Sequence, residues 1–330
     1  MEILSTSRTE LKKGVLNLKA LFTYDYGQEK MDSIRALGYE LLVVDEKNVT
    51  YSEEMQDVEV LVCYNPFRSL DIKKMRDLKW IQLSSIGIDQ APVDVIKEQG
   101  MILTNNKGGY SIPMGEWVVL KILEIYKQTH QLYEQQQLKT WKMRTGLLEL
   151  YGKKVAFIGT GSIAVESAKR LRGFEAKVIG VNTEGTEAPY FEQCYPVREL
   201  EEVLKISDVV VLTIPYTKET HHLINEVRLK EMKKDAVLIN VSRGSIIDEK
   251  ALIKHMQEGN LLGVALDVFE EEPLWEESPL WKLDNVIVTP HNSWISEMRN
   301  ERRFSLIYEN LKRYSEENEL VNVLNLAKGY

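Results

Sequence analysis

Short apolar runs alternate with amphipathic stretches along the chain, and the alternation starts twice. The first series of runs is Ala20-Leu21-Phe22, Leu41-Leu42-Val43-Val44, Val58-Glu59-Val60-Leu61-Val62, Trp80-Ile81-Gln82-Leu83 and Met101-Ile102-Leu103. Short runs of this kind predict buried strands, while segments such as Lys30 to Leu37 space their apolar residues at the helical period. Alternating strand and helix predicts a small parallel-sheet domain over Leu18 to Thr104. From Ser111 to Met143 the pattern is helical for longer, carrying Trp117, Leu120, Leu123 and Ile125 before it turns polar and Gln-rich. The second series follows: Val155-Ala156-Phe157-Ile158, Val178-Ile179-Gly180-Val181, Val209-Val210-Val211-Leu212, Val237-Leu238-Ile239, Val264-Ala265-Leu266 and Val286-Ile287-Val288. These runs predict a doubly wound sheet built from two mononucleotide-binding halves. From about Ile295 the chain is again helical and charged.

Composition narrows the function classes. The 330 residues are 44% hydrophobic and 28% charged, a globular balance, with a formal net charge of -8 and no basic block. A nucleic-acid binder needs a Lys/Arg-rich face, so that class is set aside. Cys63 and Cys194 match no metal spacing or disulfide framework and read as free thiols. Met1 to Gly14 lacks the apolar stretch of a signal peptide, and no segment reaches the roughly 18 consecutive apolar residues of a membrane span. The expectation is a cytoplasmic α/β enzyme with no metal and no membrane partner.

The run ending at Ile158 leads into Gly159-Thr160-Gly161-Ser162-Ile163-Ala164, a Gly-x-Gly-x-x-Ala turn between a strand and a helix. Gly159 permits the tight turn, Gly161 lets the backbone approach a pyrophosphate, and Ala164 still allows close helix–strand packing. The helix that follows offers its first amides to phosphate. A dinucleotide site is expected here. An acidic residue at the end of the next strand would favour NAD, but this strand ends in Asn182-Thr183. Both side chains can donate hydrogen bonds, while Glu184 is close and no Arg or Lys follows. The reading is NADP or NAD, leaning to NADP or dual use.

Reducing a keto acid with such a cofactor requires a cation for the carboxylate and carbonyl, a proton donor, and a carboxylate that favours the donor's protonated form. In open α/β sheets these groups belong at the carboxyl ends of strands. The last three predicted strands lead to Ser242-Arg243-Gly244, to Glu270-Glu271-Glu272-Pro273 and to Pro290-His291-Asn292.

With these motifs in place, together with Thr213-Ile214-Pro215-Tyr216-Thr217-Lys218-Glu219-Thr220 and Leu266-Asp267-Val268-Phe269, the chain resembles the D-isomer-specific 2-hydroxyacid dehydrogenases. That family includes phosphoglycerate dehydrogenase and glyoxylate reductase. The resemblance implies that His291 is the acid/base, Glu272 its partner and Arg243 the substrate-binding cation. Pro273 agrees with the choice among the three glutamates, because it restricts the residue before it. It further implies that Thr213, Ile214, Pro215, Thr220, Val241, Ser242, Arg243, Asp267 and His291 join Gly159 to Ile163, Asn182 and Thr183 in the cofactor site. Asp267 would contact the nicotinamide carboxamide. Ser85, Ile86 and Gly87, within Ser84-Ser85-Ile86-Gly87-Ile88-Asp89, would receive the substrate carboxylate.

The implied architecture is a Rossmann domain, residues 111–295, inserted into a flavodoxin-like substrate domain formed by 1–110 and 296–330. A homodimer with Gln135-Gln136-Gln137 to Trp141 as a helical arm is also implied. Because the chain stops near residue 330, no appended regulatory domain is expected. An NAD(H)-sensing corepressor on the same fold is the rival reading, whereas a formate dehydrogenase would pair its His with Gln where this chain has Glu272. Of the remaining candidates, Glu270 and Glu271 read as a solvated loop. His221-His222 reads as a structural or surface pair opening a helix, and His130 and His255 as solvated.

Overall fold

The computed structural model describes residues 18–326; the reading of Met1 to Gly14 falls outside them. Of the described residues, those up to Lys107 and from Asn300 form one compact unit, and Gly108–Arg299 forms the other. Both are α/β units built on a wholly parallel sheet.

The first unit contains β1 (Leu18–Phe22), β2 (Tyr39–Val43), β3 (Val60–Cys63), β4 (Trp80–Leu83) and β5 (Ile102–Thr104), in the order β2-β1-β3-β4-β5. This is the flavodoxin-like winding. Helix Arg299–Ser315 belongs to the same unit, where Phe304, Ile307 and Leu311 bury against Ala20, Phe22, Val60, Val62 and Trp80. Amphipathic spacing alone cannot choose that face. A buried polar network helps to fix it: Asn310 Nδ2 donates to Gln82 Oε1 at 2.8 Å, and Thr104 Oγ1 donates to the same oxygen at 2.8 Å. Trp80 Nε1 donates to Thr104 Oγ1 at 2.8 Å, and Val321 N–H donates to Asn310 Oδ1 at 2.8 Å. Such groups are costly inside unless partnered, so the network specifies one docking of the helix.

The second unit holds β6 (Lys154–Ile158), β7 (Lys177–Asn182), β8 (Gln193–Pro196), β9 (Val209–Leu212), β10 (Val237–Asn240), β11 (Gly263–Leu266) and β12 (Val286–Val288). Their order is β12-β11-β10-β9-β6-β7-β8. The central strands are sealed on both faces, as β9 to β11 illustrate, which is why they read as unbroken apolar runs. Six strands were expected in this unit and seven are present. The extra one, β8, is an edge strand of mixed Gln-Cys-Tyr-Pro composition that buries too little to produce an apolar run. The long helical stretch resolves into Ser111–Tyr126 and Thr129–Gln137, split at Gln128, which adopts φ 50. Among the described residues no helix is long and apolar enough to cross a membrane.

Candidate active site

The strand order of the second unit reverses between β9 and β6, the position at which open α/β sheets bind ligands beyond the strand ends. Gly159 lies there with φ 98, and a Cβ on it would stand 2.8 Å from both Thr213 O and Ile214 Cγ2. Thr213 bonds across this point, its Oγ1 donating to Gly159 O at 2.9 Å and its N–H to Ile158 O at 2.9 Å. Gly161 has open space where a side chain would project. It caps helix Ser162–Leu171, which has no side-chain cap. A dinucleotide pyrophosphate fits this arrangement, because the helix amides and the bare backbone at Gly161 can approach it together. Gly180 contributes what the run of apolar residues hid: a Cβ there would meet Thr160 Cγ2 at 2.5 Å, so its absence lets the turn lie on β7.

At the end of β7 the expected phosphate donor is already engaged. Asn182 Nδ2 donates to Thr186 O at 2.8 Å and to Thr160 Oγ1 at 3.1 Å, while its Oδ1 accepts from Thr186 N–H at 3.0 Å. Asn182 therefore shapes the loop 182–186, whereas Thr183 is exposed. The Thr217–Thr220 segment is likewise self-contained, with Thr220 Oγ1 donating to Pro215 O at 2.9 Å and accepting from Thr217 N–H at 2.7 Å.

The chemistry-bearing residues sit at the ends of β10, β11 and β12. His291 Nδ1 lies 2.9 Å from Glu272 Oε2, and Phe269 N–H donates to Glu272 Oε1 at 3.1 Å. Burial opposes ionisation of Glu272. The His291 hydrogen bond, the Phe269 amide and the charges of His291 and Arg243 outweigh it and hold the carboxyl below its ordinary range. Ionised Glu272 accepts the Nδ1 proton, leaving Nε2 as the ring nitrogen that can exchange a proton with substrate. Arg243 is half-buried, with Nη1 donating to Ser242 O at 2.7 Å. Ser242 is fixed by Asn240, whose Oδ1 accepts from its N–H at 3.0 Å and its Oγ at 2.8 Å. Val241 is buried beside them.

Asp267, at the end of β11, bonds to the segment that follows β12. Fully buried, it accepts from Thr289 Oγ1 at 2.6 Å, Asn292 N–H at 2.8 Å and Ser293 N–H at 2.9 Å. His291 N–H donates to Asp267 O at 2.9 Å, and Trp294 Nε1 to His291 O at 2.8 Å. These bonds brace a segment in which His291 adopts φ 53, a conformation that L side chains rarely take unaided. The carboxylate of Asp267 thus orients the histidine segment. The spacing of Asp267 ahead of Thr289 to Ser293 carried no signal of this, since the contact spans two adjacent strands.

In the first unit, Ser85 Oγ donates to Gly87 O at 2.8 Å and Asn105 Nδ2 to Ile86 O at 2.7 Å. Gln90 Nε2 donates to Ser85 Oγ at 2.8 Å. The Ser85 hydroxyl and the Ile86 carbonyl are thus held by Gln90 and Asn105, while the Gly87 carbonyl is held from within the loop.

Two expectations need correction. His255 is buried rather than solvated, and burial pushes its pKa down. His221 and His222 lie in a turn, and the nearest helix begins at Glu226 behind an Asn225 cap. Glu270 lies in an exposed loop as expected, and there its Oε1 stands 2.6 Å from His222 Nε2. Both cysteines are free, and among the described residues no His/Cys/Asp/Glu group could hold a metal ion.

Comparison with known proteins identifies the family. The profile of the D-isomer specific 2-hydroxyacid dehydrogenase NAD binding domain matches residues 119–293. The chain is similar to a glyoxylate reductase of Thermofilum pendens, 37% identical over 229 residues that cover 65% of each protein. It is also similar to a glyoxylate reductase of Pyrococcus furiosus, 34% identical over 72% of this chain and 74% of that one. The matched part is thus under two thirds of the Thermofilum protein's length and about three quarters of the Pyrococcus furiosus protein's. A solved D-isomer specific 2-hydroxyacid dehydrogenase family protein from Aeromonas salmonicida superposes with a TM-score of 0.80 at 30% identity, over 94% of this chain and 99% of that one.

Proposed function

The chain belongs to the D-isomer-specific 2-hydroxyacid dehydrogenase family, and from that premise we propose that it interconverts a small 2-keto acid and its D-2-hydroxy acid with NAD or NADP. The observation that carries the reading is the 2.9 Å contact of His291 Nδ1 with Glu272, one strand end from Arg243 in the parallel sheet. A reduced dinucleotide whose pyrophosphate sits at the Gly159 turn would supply the hydride from its nicotinamide. Arg243 binds the substrate carboxylate and polarises the carbonyl, since its planar fork engages oxygens in pairs. His291 Nε2 gives a proton to the alkoxide oxygen formed at C2 and takes it back in the reverse direction. Glu272 supports the imidazolium by its charge and fixes the ring. Asp267 acts beside the nicotinamide through the His291 segment.

The lean to NADP or dual use rests on the lack of an acidic residue at position 182. A homodimer is part of the proposal: Tyr133, Leu138, Trp141 and Met143 are exposed in succession after helix Thr129–Gln137 begins, an apolar surface a monomer rarely shows to water. Turnover of glyoxylate, hydroxypyruvate and pyruvate with NADH and with NADPH tests the assignment. Reduction of at least one keto acid is expected; failure with all of them under both cofactors would refute it.

A further inference from the structure

Three strand-end loops of the second unit converge on a carboxylate that the chemistry above does not use. Glu270, after β11, has Oε1 2.6 Å from Nε2 of His222, which lies in the connection after β9. The same oxygen accepts at 3.2 Å from the N–H of Glu249, the first residue of the helix after β10, and Glu270 N–H donates back to Glu249 Oε2 at 3.3 Å. The backbone continues the seam: His222 N–H donates to Ser245 O at 2.8 Å and Ile224 N–H to Ile246 O at 3.0 Å. Gly244 lies flat against the Phe269–Glu270 peptide, where a Cβ would fall 1.8 Å from Phe269 C.

The residues next to this seam are the working ones. Arg243 directly precedes Gly244, and Glu272 follows Glu270 by two positions. The surroundings are acidic, with Glu249, Glu270 and Glu271 together and His221 stacked on His222 at 3.9 Å. Burial, with the Glu270 and Glu271 charges adding to it, raises the Glu249 carboxyl above its ordinary range. The two side chains of the His222–Glu270 contact are 35% and 31% exposed. A polar contact exposed to that degree adds little to global stability, so its effect is on local geometry.

We propose that Glu270 and His222 are positioning residues, a clasp that holds the β11 loop on the β9 and β10 loops so that Glu272 and Arg243 keep the placement His291 requires. The inference rests on the function proposed above for its kinetic readout. A displacement of about 1 Å at a reacting group can cost around a hundredfold in rate. The test uses the full chain carrying Glu270→Ala, Glu270→Gln, His222→Asn (which tolerates the residue's φ of 49) and the Glu270→Ala/His222→Asn double variant. Glu270→Ala should lower kcat for keto-acid reduction roughly 10- to 100-fold, with dinucleotide affinity within about twofold of the parent. Glu270→Gln keeps an acceptor for His222 and the Glu249 amide and should restore most of the rate. The double variant should be no slower than Glu270→Ala, the coupling expected of one contact. Imidazole nitrogen NMR gives a readout independent of substrate: the hydrogen-bonded Nδ1 signal of His291 should persist in Glu270→Gln and broaden or shift in Glu270→Ala. Parental kcat and an unchanged His291 signal in Glu270→Ala would overturn the clasp, as would a Gln variant as impaired as Ala. If the parent reduces no keto acid, the function proposal fails while the NMR comparison still decides the clasp.

Discussion

The two sheets share one architecture, yet their carboxyl edges are furnished differently. In the first unit the strand ends carry Thr23, Ser85 and Asn105, and these groups bond within that unit. Glu46 Oε2 accepts from Thr23 Oγ1 at 2.8 Å and Tyr64 N–H at 2.7 Å, tying β1 to β3, while Ser85 and Asn105 hold the carbonyls of Gly87 and Ile86. In the second unit the strand ends carry Arg243, Glu272 and His291, with Asp267 bracing the last of them. The first edge shapes backbone, and the second presents groups that can bind anions and move protons. A shared fold therefore says where a site lies and nothing about what it does; that depends on the few side chains at the strand ends.

The most severe way to break the contrast is at His291. His291→Ala is expected to lose roughly 10²- to 10⁴-fold of turnover in both directions while dinucleotide affinity, read by fluorescence titration, stays near the parent's. Arg243→Lys retains the charge without the fork and should lose about 10²-fold or more in kcat/KM. Near-parental activity in either variant would remove the assigned role. Leu311→Ala, by contrast, opens a fully buried site in the first unit and should cost about 2–5 kcal/mol of stability. Thermal unfolding should register that loss, with the pH profile of the folded fraction unchanged. A moved pH profile would contradict the separation of roles.

Glu272→Gln sharpens the contrast through charge alone. The His291 hydrogen bond and charge help to hold the Glu272 carboxyl below its ordinary range, so Glu272 stays ionised beside the imidazole that moves the proton. Removing the charge should make keto-acid reduction fall off at a lower pH, and the rising limb of hydroxy-acid oxidation should move the same way. The sign for stability follows from the lowered pKa: the contribution of Glu272 is present above the ordinary carboxylate pKa and lost as pH falls through the folded one. An unmoved kinetic profile would separate Glu272 from the proton step. The smallest effect is expected at Asn182→Asp. A carboxylate there repels the NADP phosphate, but it also loses the donors to Thr186 O and Thr160 Oγ1. The NADH:NADPH ratio of kcat/KM should rise by about tenfold at most, the equivalent of roughly 1.4 kcal/mol. A fall in that ratio would show that position 182 does not face the ribose.

Much of this was written into the order of residues. Strands sealed on both faces must be apolar throughout, so β9, β10 and β11 were legible, and Gly159 and Gly161 announced a turn that needs φ 98 and bare backbone. Arg243, Glu272 and His291 could be named because each lies within the few residues that follow β10, β11 or β12. Tertiary structure alone decided what depends on lateral neighbours. The edge strand β8 buries too little to leave a pattern, and helix Arg299–Ser315 finds its place through Asn310 and Gln82, 228 positions apart. The carboxylates of Asp267 and Glu270 bond to the His291 segment and to His222 because the parallel sheet sets the end of β11 beside that of β12, with β10 alone between it and that of β9, bringing together loops that the chain itself keeps apart. Periodicity records which face of an element avoids water; it carries no record of which polar partner waits on the neighbouring strand.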